Sequence, residues 1–262
     1  MVNTNLVSVG EFKEVQTKQK LTSGFKIGFE WEVPYKYSGY AFSMFTREEC
    51  DEVGFTTHLE CGGREFCSPV FSTLVQARAH ARWLIKKVDK DNNFLPSSCG
   101  KGTGVADCGI HVHITHPKAD YSLYETLFYL LNHSSMKSFI WDISGRKGGG
   151  YSQQAVSACW DQGYRGIGET GMLKHNRLAL DVTSIELRLW AGDKRVLLPA
   201  LDFAKACVEY ALTLKDADTL DNKSLSDQSK GSKFALWLLK QRGYKELKKT
   251  FLTEIETLSK QG

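Results

Sequence analysis

The sequence predicts an α+β fold, a largely antiparallel sheet with helices on one face. Three observations carry that reading. Apolar and polar residues alternate in well-separated stretches, apolar residues recur at helical spacing elsewhere, and the order runs strand, strand pair, helix, strand, helix, loop, strand, helices.

Each element has its own local reason. In 25–33, Phe25, Ile27, Phe29, Trp31 and Val33 point one way, while Lys26, Gly28, Glu30 and Glu32 point the other. A period of two is a half-buried strand. Residues 55–67 are polar and β-leaning around Gly62 and Gly63, which predicts a strand pair or a bulged strand. Ser68 and Pro69 are expected to open a helix, with Leu74, Ala77, Ala81, Leu84 and Val88 on its buried stripe and the run from Asp91 to Asn93 closing it. A glycine-rich loop leads into a strand with Ile110, Val112 and Ile114 on one face and His111, His113 and Thr115 on the other. Residues 121–141 read as one apolar helix along Leu123, Leu127, Leu130 and Leu131. GRKGGG at 145–150 reads as a hinge or lid, and 151–176 as irregular. The last strand sets Ile185, Leu187 and Leu189 against Ser184, Glu186 and Arg188, and two helices follow from about 196 with a polar connector near 216–233.

The 262 residues suit one catalytic domain, with a core at 24–192 and C-terminal helices at 196–262. Hydrophobic residues at 42% and charged residues at 24% exclude wholesale disorder. A net charge of +4 does not by itself indicate a nucleic-acid binder. No apolar run predicts a membrane span or an export signal. The seven cysteines show no framework spacing, so reduced thiols and a cytoplasmic location are expected.

The functional signal is a coincidence among strands. Three strands with an apolar face each carry ionisable groups on the other: Glu30 and Glu32, His111 and His113, Glu186 and Arg188. Any pair alone reads as a solvated face, a core histidine pair or a cross-strand salt bridge. Glu60 and Glu65, flanking Gly62 and Gly63, alone read as a charged turn. Together they suit divalent cations, because two carboxylates ~7 Å apart on one strand face repel unless cations lie between them. Oxygen donors with imidazole favour Mg²⁺ or Mn²⁺. Zinc is the alternative, since Cys108 precedes His111 by three and Cys61, Cys67 and Cys99 are available.

Two other motifs fail on spacing. Gln153, Cys159 and Trp160 with His175 and Asn176 look like a papain-type site, but DQGYRGIGETG after the cysteine is hostile to the helix such a site needs. GKGTG at 100–104 lacks the Lys-Ser/Thr of a phosphate-binding loop.

Four segments in order, G-F-E-W-E at 28–32, L-E-C-G-G-R-E-F-C-S-P at 59–69, C-G-I-H-V-H at 108–113, and H-N-R then S-I-E-L-R-L within 175–189, resemble the amidoligase family. These are carboxylate–amine ligases of the glutamine synthetase-like fold, common in bacterial and phage genomes. The resemblance covers about residues 24–192. It implies that Glu30, His111 and Glu186 share one metal and that Glu32, Glu60 and Glu65 hold another. It also implies that Arg188 meets the transferred phosphate or the substrate carboxylate and that His113 lies near the nucleotide. Arg177 and Lys174 are the implied phosphate neutralisers, and Asn176 matches a family polar position.

The implied activity joins a carboxylate to an amine with ATP and Mg²⁺ (or Mn²⁺), through an acyl phosphate. The rivals are a phosphotransferase on the same architecture, as in guanidino kinases, and a catalytically silent binding module. Expected partners are small-molecule or peptide carboxylates and amines; a modified nucleobase also stays open as substrate, and the assembly is expected to be a monomer or small homo-oligomer.

Overall fold

The computed structural model describes residues 24–35, 50, 53–60, 63–91, 94, 108–118, 123, 126–127, 130–131, 133–145, 173–178, 181–216 and 230–261. The Cys159 motif, the 100–104 glycine stretch and GRKGGG beyond Gly145 lie outside them.

Six strands form one sheet: β1 (Lys26–Pro34), β2 (Thr56–Glu60), β3 (Gly63–Cys67), β4 (Gly109–Thr115), β5 (Leu173–Leu178) and β6 (Asp181–Ala191). The order is β2-β3-β1-β4-β6-β5, and every neighbouring pair is antiparallel. Helices α1 (Leu74–Lys90), α2 (Lys137–Ser144), α3 (Lys194–Asp216), α4 (Lys230–Lys240) and α5 (Lys245–Ser259) complete the described elements. This is the expected α+β class, with α1, α2 and α3 touching the sheet.

The alternation of β1 produces the core directly. Ile27, Phe29, Trp31 and Val33 are fully buried and join Ile110, Val112 and Ile114 of β4 and Ile185 and Leu187 of β6. Trp31, β-paired with Ile110, also donates its indole N–H to the Gly192 carbonyl at 2.8 Å, so burial leaves no polar atom of the ring unsatisfied. Both faces of β4 are buried, because the histidine face is covered as well.

Four expectations need correction. Helix α1 starts at Leu74, not at Pro69, because Phe71 is still bridged to Ile27 and Thr73 is the residue whose side chain accepts from Gln76 N–H. The helix predicted over 121–141 is interrupted at His133, where a 3₁₀ turn (Ser134–Met136) precedes α2, although Leu123, Leu127, Leu130 and Leu131 are helical and buried. Residues 173–176, read as irregular, belong to strand β5. Three helices, not two, follow the sheet, because Gln241, Arg242 and Gly243 break the last apolar run. Among the described residues no helix is long and apolar enough to cross a membrane.

Candidate metal and phosphate site

Antiparallel register brings the ionisable residues onto one face. Glu30 lies opposite His111, Glu32 opposite Glu65, and His113 opposite Glu186. The strands that supply them, β3, β1, β4 and β6, are consecutive in the sheet. Residues from four distant parts of the chain therefore meet because of strand order.

His111 is the hub. Its Nδ1 is 3.0 Å from Glu30 Oε2 and 3.8 Å from Glu186 Oε1, and its Nε2 is 3.8 Å from Glu32 Oε1. His113 Nε2 lies 3.1 Å from Glu30 Oε1, though not aligned for a hydrogen bond. Arg188 Nε reaches Glu186 Oε1 at 3.6 Å, and the Gly109 amide donates to Glu32 Oε2 at 2.6 Å. Glu30, His111, His113 and Glu186 are buried, while Glu32, Glu65 and Arg188 are half-buried.

Burial pushes the Glu30 carboxyl up, but the neighbouring His111 and His113 outweigh burial and hold it well below the usual carboxylate range. Glu30 is thus ionised. Burial, then the negative charges of Glu65 and Glu30, push the Cys67 thiol far above its ordinary value. Among the described side chains, Glu30, Glu32, Glu65 and Glu186 converge here and Arg188 contacts Glu186, a concentration of acid that desolvation makes costly without compensating positive charge.

Two groups of donor atoms lie within 4.8 Å of one another, Glu30–His113–Glu186 and Glu30–Glu65–His111. They cut across the division implied by the motif resemblance, with Glu30 common to both and His113 among the donors. The donor chemistry fits a divalent cation. His113 is fully buried, and neither ring nitrogen has a hydrogen-bond partner among the described residues. Its contact with Glu30 is charge proximity without hydrogen-bond alignment, which leaves donor capacity on the ring, and oxygen donors with imidazole suit Mg²⁺ or Mn²⁺.

The remaining candidates are placed by backbone only. Glu60 pairs with Gly63, Lys174 with Glu186, Asn176 with Ser184 and Arg177 with Val182, while His175 pairs with Ile185. Lys174 and Asn176 thus stand beside the site in register. The sequence reading missed His58, which faces Glu65 across the hairpin. Hairpin register was the signal for it. The Gly109 amide carried no signal, being backbone.

A cavity of about 580 Å³ lies among α1, α3 and α5, lined by Arg82, Lys86 and Lys249 among others. It is a helix-layer groove that none of the sheet-face glutamates or histidines lines, and the site chemistry belongs to the sheet face.

No family model and no curated protein matches the chain. Among solved structures, one described as a novel glutamine synthase homolog resembles it at 12% identity and a TM-score of 0.40, covering 95% of this chain and 69% of that one. The likeness is distant.

Proposed function

We propose that the chain is an ATP-dependent ligase that joins a carboxylate to an amine. The observation that carries this reading is the buried carboxylate–imidazole cluster, with Glu30 serving two donor groups and both His111 and His113 converging on it. The motif resemblance to amidoligases supports the same assignment.

A carboxylate is inert to amines at neutral pH because oxide would have to leave. Attack of the carboxylate oxygen on the γ-phosphorus of ATP expels ADP and gives an acyl phosphate. Attack of the amine on the acyl carbon then expels phosphate, with loss of a proton from nitrogen. Both steps gather anions that repel one another, so positioning and charge neutralisation supply most of the catalysis.

Mg²⁺ or Mn²⁺, when bound, neutralises phosphate charge. Glu30, Glu186 and His113 would hold one cation, and Glu30, Glu65 and His111 a second, with Glu32 approaching His111 from its other nitrogen. His111 keeps Glu30 ionised and oriented through the 3.0 Å contact. Arg188, half-exposed and steered by Glu186, is the group for the transferred phosphoryl or the substrate carboxylate. Lys174, Asn176 and Arg177 on β5 are assigned to phosphate neutralisation and polar contact, and Glu60 to the outer metal shell beside Glu65.

The test supplies ATP and Mg²⁺ with carboxylates and amines singly and in pairs, following ADP, phosphate and adduct by mass. ADP and phosphate should appear together only when both substrates are present, and Glu30→Ala or Glu186→Ala should abolish release while circular dichroism stays native. ADP with a stable phosphorylated product and no amine requirement would replace this reading with a phosphotransferase. Absence of ATP binding in the presence of Mn²⁺ would overturn both.

A further inference from the structure

A third donor group lies beside the first two, and its chemistry differs. His58 of β2 and Glu65 and Cys67 of β3 offer donor atoms within 4.8 Å of one another. The hairpin register explains the convergence: His58 stands directly opposite Glu65, and Cys67 follows Glu65 by two on the same face. His58 is exposed and Cys67 buried, so the group runs from solvent into the sheet.

We propose that His58, Glu65 and Cys67 form a separate zinc site, with one coordination position left toward solvent. Thiolate, imidazole and carboxylate together are a borderline-soft set that prefers Zn²⁺, whereas the neighbouring carboxylate–imidazole groups have no sulfur and suit harder cations. Donor atoms already within 4.8 Å of one another need only a modest side-chain adjustment to share one ion at ordinary Zn–S, Zn–N and Zn–O lengths. Three protein ligands with a solvent-side opening at His58 leave the fourth position to water or an exchangeable ligand. On binding, the Cys67 S–H bond breaks, its proton leaves to solvent, and sulfur donates the pair that forms the Zn–S bond.

Glu65 belongs to this group and to the Glu30–His111 group. A carboxylate has two oxygens, so Glu65 is the link through which zinc would influence the harder site. The zinc site itself does not depend on the ligase reading, since His58 and Cys67 take no part in it.

The test titrates the full-length, reduced, chelator-treated chain with Co²⁺ as a spectroscopic substitute. A thiolate-to-cobalt charge-transfer band in the near ultraviolet should grow to one equivalent and be displaced by Zn²⁺. Cys67→Ser should abolish the band, and His58→Ala should weaken Co²⁺ binding by at least the ~10–100-fold that loss of an outer-shell partner costs. Glu186→Gln, which disturbs only the harder group, should leave the band intact. Co²⁺ binding without the band, or a band that survives in folded Cys67→Ser, would overturn the proposal. Loss of the band in Glu186→Gln would instead merge the two sites and also overturn it.

Discussion

Asp202, in the middle of α3, supplies the cap that Tyr244 cannot give to helix α5. Tyr244 is the N-cap residue but sits at φ 56 with no side-chain capping bond. Asp202 Oδ2 accepts instead from the amides of Glu246 and Leu247 at 2.9 and 3.1 Å, while its Oδ1 takes Arg78 Nε at 2.7 Å. Asp202 is fully buried, so removing it strands a guanidinium and two amides. Asp202→Ala should cost about 3–5 kcal/mol in urea unfolding, the range for breaking a buried pair from one side. A loss below about 1 kcal/mol would show that water satisfies these donors.

Tyr244 also carries a pH signature. Burial, then its hydrogen bond to Glu209, hold the phenol far above its ordinary value. The unfolded phenol ionises near pH ~10, so this contribution to stability is complete below that pH and falls as pH rises past it. Tyr244→Phe removes both the bond and the titration. Wild type should therefore be the more stable by about 1 kcal/mol at neutral pH, with the gap narrowing above pH ~10. A gap that stays constant into alkali contradicts the assignment.

Glu32 and Glu65 stand directly opposite one another on β1 and β3. Like charges so placed destabilise a sheet by ~0.2–1 kcal/mol. Glu65→Gln should stabilise the metal-free chain by that order and shrink the rise in Tm that Mn²⁺ gives. For wild type a cation at 100 times its Kd adds about 2.7 kcal/mol. No Tm response to Mn²⁺ or Mg²⁺ would remove the metal assignment.

Gly63 holds β3 against β1. A Cβ there would lie 2.5 Å from the Val33 carbonyl oxygen. Gly63→Ala should cost about 1–3 kcal/mol, as overpacking does, and should weaken Mn²⁺ binding because Glu65 lies two residues along the displaced strand. Unchanged Mn²⁺ affinity in a destabilised variant would separate the strand contact from the site.

Arg188→Lys tests the phosphate role. A guanidinium fork is not replaced by a point charge, so turnover should fall by ~10²–10³-fold, the usual effect of removing one transition-state donor. Unfolding curves should stay near wild type because Arg188 is half-exposed. Equal losses of activity and stability would make it structural.

Much of the sheet was legible because period-two alternation is a strong local signal: Ile27, Phe29, Trp31 and Val33 are buried as β1 predicts. The carboxylate and histidine residues were legible for the same reason, being the other half of that alternation. Their partition into donor groups was not, since it depends on side-chain directions across strands far apart in sequence. The start of α1 was misplaced because Pro69 favours a first helical turn, while pairing of Phe71 with Ile27 holds the chain extended. The break at His133 had a local signal, the polar run Asn132, His133, Ser134 and Ser135, which the apolar stretches on either side of it outweighed in the reading.

Strand β6 carries one residue more than β4 allots it. Ile110 pairs with Trp190 and Val112 with Leu187, so Arg188 and Leu189 together face His111. Under unbroken alternation Trp190 would share a side with Glu186; the bulge turns it inward, where its ring meets Phe203 edge-on at 6.0 Å. Chain length at this point therefore decides which groups share a side: the bulge absorbs the additional residue, so Glu186 and Arg188 stay with the acids while the indole stays in the core, and excising one of the two bulged residues would leave a plain ladder with Trp190 still against Ile110.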